Sequence, residues 1–133
     1  MDTKTINKAA IIDDDIVHLK LYERTISRTG LVQELLTFES AEDALYYLKD
    51  EKNERIDIIF LDINMPRMDG FEFLEAATNS IGCYFTNCVV IMLTTSLDPL
   101  DRQRAEEFNV VKSFLNKPLT REALQDAVKL IDS

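Results

Sequence analysis

Aspartate side chains directly follow two short apolar runs of this sequence. Asp13, Asp14 and Asp15 follow the first run, and Asp62 follows another. Carboxylates that are crowded together repel one another unless a cation compensates for their charge. Mg²⁺ prefers such oxygen ligands and keeps several of its waters, so that a phosphate oxygen can join them. These residues therefore predict a site for a hard divalent cation at which phosphate chemistry takes place.

Two other polar residues that follow apolar runs have the chemistry to complete such a site. Lys117 supplies one positive charge, which together with a divalent cation cancels the charge of Asp13, Asp14 and Asp62. Thr94 offers a hydroxyl group that can donate a hydrogen bond to a phosphoryl oxygen. We therefore predict that these side chains meet in one crevice and can accept an incoming phosphoryl group.

Each of these residues also has a simpler structural explanation. Aspartates at the start of a helix interact favourably with its dipole, which explains Asp15 but not Asp62 or Lys117. Taken singly, Thr94 is equally expected as a strand-end cap, and Lys117 as a solvated charge. The predicted site therefore depends on the agreement of four separate positions rather than on any one residue.

The apolar runs and the segments between them indicate an α/β fold. The first run is continuous, as in a strand buried on both faces, and the five runs comprise residues 9–12, 35–38, 56–61, 89–93 and 110–115. Helical patterns separate them, which predicts βαβ crossovers and a parallel sheet covered by helices on both faces. The carboxyl ends of parallel strands form the functional crevice of such a fold, so we expect the polar residues to meet there.

Capping residues mark the predicted helix boundaries. One apolar stripe at helical spacing predicts the second helix and comprises Ala41, Ala44, Leu45 and Leu48. Ser40 is expected to cap that helix. Asp98 followed by Pro99 predicts the start of a fourth helix over residues 100–109, whose polarity suits a mobile or partner-facing edge. Residues 78–87 are expected to form a loop.

The remaining metal-binding residue types are too few for another kind of metal site. Cys83 and Cys88 cannot build a disulfide framework or a four-ligand zinc site, and we expect free thiols. His18 is the single histidine, and its apolar neighbours predict a position on the first helix with a solvent-facing or packing role.

The composition is that of one globular domain. The 133 residues are 46% hydrophobic and 29% charged, so we predict a single domain over residues 1–133, with its core at about 8–131. The net charge of −9 argues against direct binding to nucleic acid, whose phosphates require neutralising cations. No apolar run is long enough for a membrane span, and residues 1–8 lack the apolar core of a signal peptide. We therefore expect a cytoplasmic protein.

Four segments of the sequence closely resemble one known family. They read IIDDD at residues 11–15, LDINMPRMDG at 61–70, VIMLT at 90–94 and FLNKPL at 114–119. In this combination they resemble the receiver domain of bacterial two-component response regulators, in particular the stand-alone, chemotaxis-regulator-like kind. The resemblance implies a flavodoxin-like (βα)5 fold, a three-layer α/β sandwich whose parallel strands have the order 2-1-3-4-5.

The resemblance also implies how the acidic residues work. Asp62 would take a phosphoryl group from the phosphohistidine of a sensor histidine kinase or a histidine phosphotransfer protein. Asp14 and Asp62 would ligate Mg²⁺ directly, which Mn²⁺ could replace. The main-chain carbonyl of Asn64 would be a further ligand, and Asp13 would hold the ion through water.

Signal output is implied to depend on Thr94 and Phe114. Thr94 and Lys117 would contact the phosphoryl oxygens, Thr94 would move toward the phosphoryl group, and Phe114 would then turn inward. This would change the surface of the fourth helix, fifth strand and fifth helix, which would bind a downstream target protein. The Lys117–Pro118 peptide bond is expected to be cis, as in the family, and to aim the lysine into the crevice.

Other features of the sequence concern phosphoryl lifetime and partners. Asn64 and Ser96, each two residues beyond Asp62 or Thr94, are expected to tune dephosphorylation. Residues 82–87 and 109–113 depart from the family pattern and are expected to lie away from the phosphoacceptor, so they concern partner recognition rather than the chemistry. A monomer or a weak homodimer is expected, and no membrane partner.

Three other functions fit the sequence less well. A phosphatase with an aspartyl nucleophile would carry a second aspartate two residues after the first, where this sequence has Asn64, and would need a substrate cap. Residues 13–15 would repel the phosphate of a flavin. A receiver acting only as an unphosphorylated interaction module would not need the full acidic set with Thr94 and Lys117. We therefore expect a signalling protein, not a turnover enzyme for an external substrate.

Overall fold

Five strands and five helices alternate along the chain in the computed structural model, which describes residues 6–81, 85, 88–95 and 98–131. The strands are β1 Ile6–Ile12, β2 Val32–Phe38, β3 Ile58–Asp62, β4 Val89–Thr94 and β5 Val111–Asn116. The helices are α1 Ile16–Thr29, α2 Ala41–Lys49, α3 Gly70–Ile81, α4 Pro99–Ala105 and α5 Arg121–Ile131.

The strands form one parallel sheet in the order β2-β1-β3-β4-β5, which confirms the flavodoxin-like α/β fold. Neighbouring residues of β1 point to opposite faces. Ala9 and Ile11 pack with α1 and α5, whereas Ala10 and Ile12 pack with α2 and α3. Because both faces of the strand are covered, its apolar run is continuous rather than alternating.

The predicted caps of α2 and α4 are confirmed. Ser40 Oγ accepts a hydrogen bond from the backbone N–H of Asp43 at 3.1 Å, and Asp98 Oδ1 accepts one from Leu100 at 3.0 Å. Pro99 is the first residue of α4, where its missing N–H costs nothing. The whole predicted apolar stripe of α2 is buried. Local side-chain chemistry therefore sets where these helices begin.

Two predicted boundaries are wrong. Residues 78–81 form the last turn of α3 rather than a loop, because Ile81 continues the apolar face of that helix and packs against the core. Tertiary packing here overrides the weak helix propensity of Thr, Asn and Ser. The fourth helix ends at Ala105 instead of residue 109, since the chain then turns: Phe108 N–H donates to the Ala105 carbonyl, and Val111 N–H to that of Phe108.

The rest of the predicted loop, residues 82–84 and 86–87 with Cys83, lies outside the described residues. Cys88 is a buried free thiol whose Sγ lies 3.0 Å from the carbonyl oxygen of Ile56. Burial raises the pKa of Cys88 to about 11, so this side chain remains a thiol. Within the part of the chain that the structure describes, no helix combines the length and apolar character needed to cross a membrane.

Gly70 allows α3 to start directly against the end of β3. Its N–H donates to the carbonyl of Ile63 at 2.9 Å. A Cβ atom at this position would lie 2.7 Å from the Asp62 carbonyl oxygen and 3.1 Å from Ile63 Cα. Since both of these are backbone atoms, they cannot move aside as a flexible side chain would.

We predict that Gly70→Ala lowers the free energy of unfolding by about 1–3 kcal/mol, because the new methyl group forces α3 away from β3. Chemical denaturation of the two proteins measures this difference. Glu75→Ala, at an exposed position of the same helix, is the matched control and should change stability by less than about 0.5 kcal/mol. Equal effects of both substitutions would contradict the close-approach explanation.

Candidate functional site

Strand register brings the acidic residues together at one end of the sheet. β1 and β3 are neighbours and Ile12 pairs with Leu61, so Asp13, directly after β1, lies beside Asp62, the last residue of β3. Asp13, Asp14 and Asp62 each place one carboxylate oxygen within 4.8 Å of the others. Asp13 and Asp62 are buried, and Asp14 is exposed. The structure thus brings together the three carboxylates that the sequence predicts to share a crevice.

The ammonium group of Lys117 lies among these carboxylates. Its Nζ atom is 2.9 Å from Asp13 Oδ2 and 3.2 Å from Asp62 Oδ1. The Lys117–Pro118 peptide bond is cis, and the Lys117 N–H donates to the carbonyl of Thr94 at 2.8 Å. The loop after β5 is therefore held against the end of β4, with its lysine side chain in the crevice.

The pKa values show how strongly these charges interact. Burial, followed by the negative charge of Asp13, raises the pKa of Asp62 to about 6 from 3.8, although Lys117 partly opposes this shift. Burial lowers the pKa of Lys117, but its hydrogen bond to Asp13 and the charges of Asp62 and Asp13 outweigh burial and raise that pKa overall. The crevice therefore retains more negative charge than one lysine can neutralise.

The donor set of the crevice suits a hard divalent cation. Its candidate ligand atoms are carboxylate oxygens, with no thiolate in the group. Oxygen-only sets favour Mg²⁺, Ca²⁺ or Mn²⁺ over softer metals. The residual negative charge and the raised pKa of Asp62 are features that a bound cation would relieve. The residues present are therefore compatible with the Mg²⁺ or Mn²⁺ that the sequence predicts.

The aspartates that follow β1 make two different kinds of contact. Asp15 caps α1, since its Oδ1 accepts hydrogen bonds from the N–H groups of Val17 and His18, as the helix-terminus explanation expects. Asp13 Oδ1 in turn accepts from the N–H of Asp15 at 2.9 Å, which orients its other oxygen toward Lys117. Asp15 therefore caps the helix, whereas Asp13 takes part in the crevice.

Thr94 and Phe114 lie on the same face of the sheet. Thr94 is fully buried at the end of β4 and pairs with Asn116 of β5, two residues after Phe114. Because side chains alternate along a strand, Phe114 and Asn116 point to the same side. Phe114 is partly buried against the core that includes Met92. Ser96, predicted to tune dephosphorylation, lies outside the described residues, and Asn64 is exposed in the loop after β3.

Sequence reasoning missed two residues beside the site. Arg102 of α4 places its guanidinium 5.6 Å from the ring centre of Phe114 and donates to the Phe114 carbonyl at 3.2 Å. His18 approaches Lys117, with Nδ1 3.3 Å from Nζ. The first turn of α1 follows the acidic run directly, which could have indicated that His18 faces the crevice. No local signal connects Arg102 with Phe114.

Comparison with known proteins identifies the family. The sequence model of the family described as “Response regulator receiver domain” matches residues 9–129. The chain belongs to this family. It is a receiver domain of the kind found in two-component response regulators, as the four motif segments indicate.

Solved structures with this receiver fold are similar over nearly their whole length. A two-component response regulator from Cytophaga hutchinsonii superposes with a TM-score of 0.87 at 30% identity, covering 96% of this chain and 98% of that one. The chemotaxis response regulator CheY4 of Vibrio cholerae gives 0.76 at 28% identity, covering 96% and 99%.

Curated relatives place the same domain in longer proteins. The transcriptional regulatory protein FlgR of Helicobacter pylori is 31% identical over 121 residues, which are 91% of this receiver chain and 28% of FlgR. The hybrid signal transduction histidine kinase L of Dictyostelium discoideum is 25% identical, over 96% of this chain and 7% of the kinase. The receiver chain thus spans less than a third of either relative.

The raised pKa of Asp62 predicts a pH-dependent effect of Asp62→Asn on stability. Without a divalent cation, the folded state keeps a proton on Asp62 up to pH about 6, whereas the unfolded chain loses it near 3.8. Stability therefore falls as pH rises through that window, and the penalty is complete above it. Asp62→Asn should raise the unfolding free energy by on the order of 2 kcal/mol at about pH 7.

Thermal or denaturant unfolding across that pH range measures the effect. The gain should shrink as pH falls below about 4, where Asp62 is protonated in both states. Added Mg²⁺ should also reduce it, because a cation that binds only the folded wild type stabilises that protein. Asp43→Asn, at an exposed carboxylate of α2, should show neither dependence. A variant less stable than wild type at every pH would refute the electrostatic explanation.

Proposed function

We propose that this receiver domain accepts a phosphoryl group on Asp62 and passes the resulting change to the surface formed by α4, β5 and α5. The donor would be the phosphohistidine of a sensor histidine kinase or of a histidine phosphotransfer protein. The single observation that carries the proposal is the position of the Lys117 ammonium, 2.9 Å from Asp13 and 3.2 Å from Asp62 inside a cluster of three carboxylates.

The reaction needs one nucleophile and charge neutralisation. An Asp62 carboxylate oxygen attacks the phosphorus, the P–N bond of phosphohistidine breaks, and the new P–O bond leaves an acyl phosphate on Asp62. The departing imidazole retains the electron pair and takes a proton. The ammonium of Lys117 and the hydroxyl of Thr94 bind phosphoryl oxygens and so stabilise the negative charge on them.

Asp14 and Asp62, with the main-chain carbonyl of Asn64, would hold Mg²⁺ or Mn²⁺, and Asp13 would hold it through water. When bound, the cation would neutralise charge on the carboxylates and the phosphoryl oxygens. The Asn64 side chain and Ser96 would influence access of water to the acyl phosphate and therefore its lifetime. Because the domain is itself the acceptor and holds the phosphoryl group, it would act as a switch rather than as a turnover enzyme for an external substrate.

Phe114 is the proposed link between the crevice and the output surface. It shares a face of the sheet with Thr94, and it is held from outside by Arg102 of α4. Movement of Thr94 toward the phosphoryl group would vacate space toward which the ring can turn. The Arg102 guanidinium would then lose its contact with the Phe114 ring. This would change the α4 side of the surface, where a downstream target protein would bind. We expect these events in the cytoplasm, in a monomer or weak homodimer.

Incubation with Mg²⁺ and a small phosphodonor should add one phosphoryl group to the protein. Mass spectrometry detects the addition. Asp62→Asn should abolish it, because an amide oxygen is too poor a nucleophile to form the acyl phosphate. Asp43→Asn removes a carboxylate of α2 outside the crevice and should be phosphorylated at the wild-type rate. A wild type that remains unmodified would instead favour an interaction module that acts without phosphorylation.

Beryllofluoride, a mimic of the phosphoryl group, should bind with Mg²⁺ and change the backbone amide shifts of Phe114 and Arg102. The reason is that packed elements respond by discrete rearrangement rather than by gradual deformation. Two-dimensional NMR measures the shifts. Gly30 and Leu31 serve as internal controls, since they lie at the opposite end of the sheet, where Ile6 N–H donates to the Leu31 carbonyl. Shift changes confined to the crevice loops would refute the proposed link.

A further inference from the structure

His18 contacts the crevice from the first turn of α1. Its Nδ1 atom lies 3.3 Å from Lys117 Nζ and 3.6 Å from Asp13 Oδ2. The imidazole ring stacks on Tyr22, one turn later in the helix, with ring centres 5.9 Å apart and planes at 29°. The proposed chemistry assigns no task to this side chain, although it touches the ammonium that would bind the phosphoryl group.

The hydrogen-bonding capacity of lysine explains the contact. An ammonium group has three N–H donors, and the carboxylates of Asp13 and Asp62 account for two of them. His18 Nδ1 is a further polar atom within hydrogen-bonding distance of Nζ. A proton on Nδ1 would set two N–H donors against each other, although the carboxylate oxygens of Asp13 and Asp15 also lie 3.6 Å from Nδ1. Acceptance of the lysine N–H by Nδ1 requires the tautomer that carries the ring proton on Nε2.

We propose that His18 is a positioning residue for Lys117: its Nδ1 lone pair accepts the third N–H of the ammonium and holds this group in the crevice. This inference rests on the proposed function, because that function assigns the ammonium to the phosphoryl oxygens. It concerns this chain's own histidine and adds a residue to the set that prepares the site for phosphoryl transfer.

A neutral acceptor has a particular advantage at this position. Lysine has a flexible four-carbon stem, and holding its end in one place costs side-chain entropy. When Asp62 receives the phosphoryl group, the ammonium must exchange a carboxylate oxygen for a phosphoryl oxygen. The bond to His18 can persist through that exchange, because neither phosphorylation nor cation binding uses Nδ1. A neutral imidazole also leaves the full positive charge of the lysine available to the phosphoryl oxygens.

The competing explanation is that the His18 ring merely packs on Tyr22. Two substitutions separate the explanations. Asn places an amide oxygen one bond from Cγ, where histidine has Nδ1, and so keeps the acceptor but loses the stacked ring. Phe keeps a stacked ring and loses the acceptor. The two variants therefore have opposite expected outcomes under the two explanations.

The first measurement is phosphorylation of the full chain by a saturating small phosphodonor with Mg²⁺, in wild type, His18→Asn and His18→Phe. The Phe variant should be phosphorylated about threefold to tenfold more slowly, the loss expected for one hydrogen bond. The Asn variant should stay within about twofold of the wild type, because its acceptor remains. Equal rates in all three proteins, equal slowing of both variants, or slowing of the Asn variant alone would overturn the inference.

A second measurement uses the protein without a phosphodonor. The ¹⁵N signal of the Lys117 ammonium should be sharp in the wild type and the Asn variant, and broadened by proton exchange with water in the Phe variant. In the wild type, imidazole ¹⁵N shifts should report a proton on Nε2 and none on Nδ1. A protonated Nδ1 would overturn the inference even if a variant failed to fold. If the wild type is never phosphorylated, the proposed function fails, but these signals still decide the role of His18.

Discussion

Repulsion between Asp13 and Asp62 is the constraint to which the rest of the site responds. Adjacent strands place the two buried carboxylates next to each other, and the pKa of Asp62 rises to about 6 as a result of burial and of the Asp13 charge. Lys117 relieves part of this repulsion from the end of β5. The negative charge that Lys117 does not neutralise attracts a further cation. The same imbalance that lowers stability would equip the crevice for the proposed phosphoryl transfer.

The topology explains why these charges can be brought so close. A parallel sheet collects the carboxyl ends of its strands at one edge, and the order 2-1-3-4-5 places β1 beside β3 at the centre. A buried apolar core packs against each face of the sheet. Gly70 permits α3 to begin immediately behind Asp62, without a side chain between helix and strand. Packing energy therefore supports an electrostatic arrangement that is unfavourable by itself.

Two side chains connect this crevice with its surroundings. His18 reaches the Lys117 ammonium from α1, and Arg102 of α4 lies over Phe114 at the edge strand. One contact bears on how the lysine is held, and the other bears on how a change at Thr94 would reach the surface. Both His18 and Arg102 are polar or charged side chains that contact residues of the crevice or of its edge strand and are not part of the apolar core. They are features of this chain and not of the four motif segments.

The crevice of three carboxylates and one lysine could be predicted from the polar residues that follow the apolar runs, as could the strand order implied by the family resemblance and the caps of α2 and α4. Those features are local or repeat a known pattern. The last turn of α3, the early end of α4, and the contacts of His18 and Arg102 depended on tertiary packing. Residues far apart in the chain meet there only because strand pairing and helix rotation set their distance, and no short stretch of sequence specifies either.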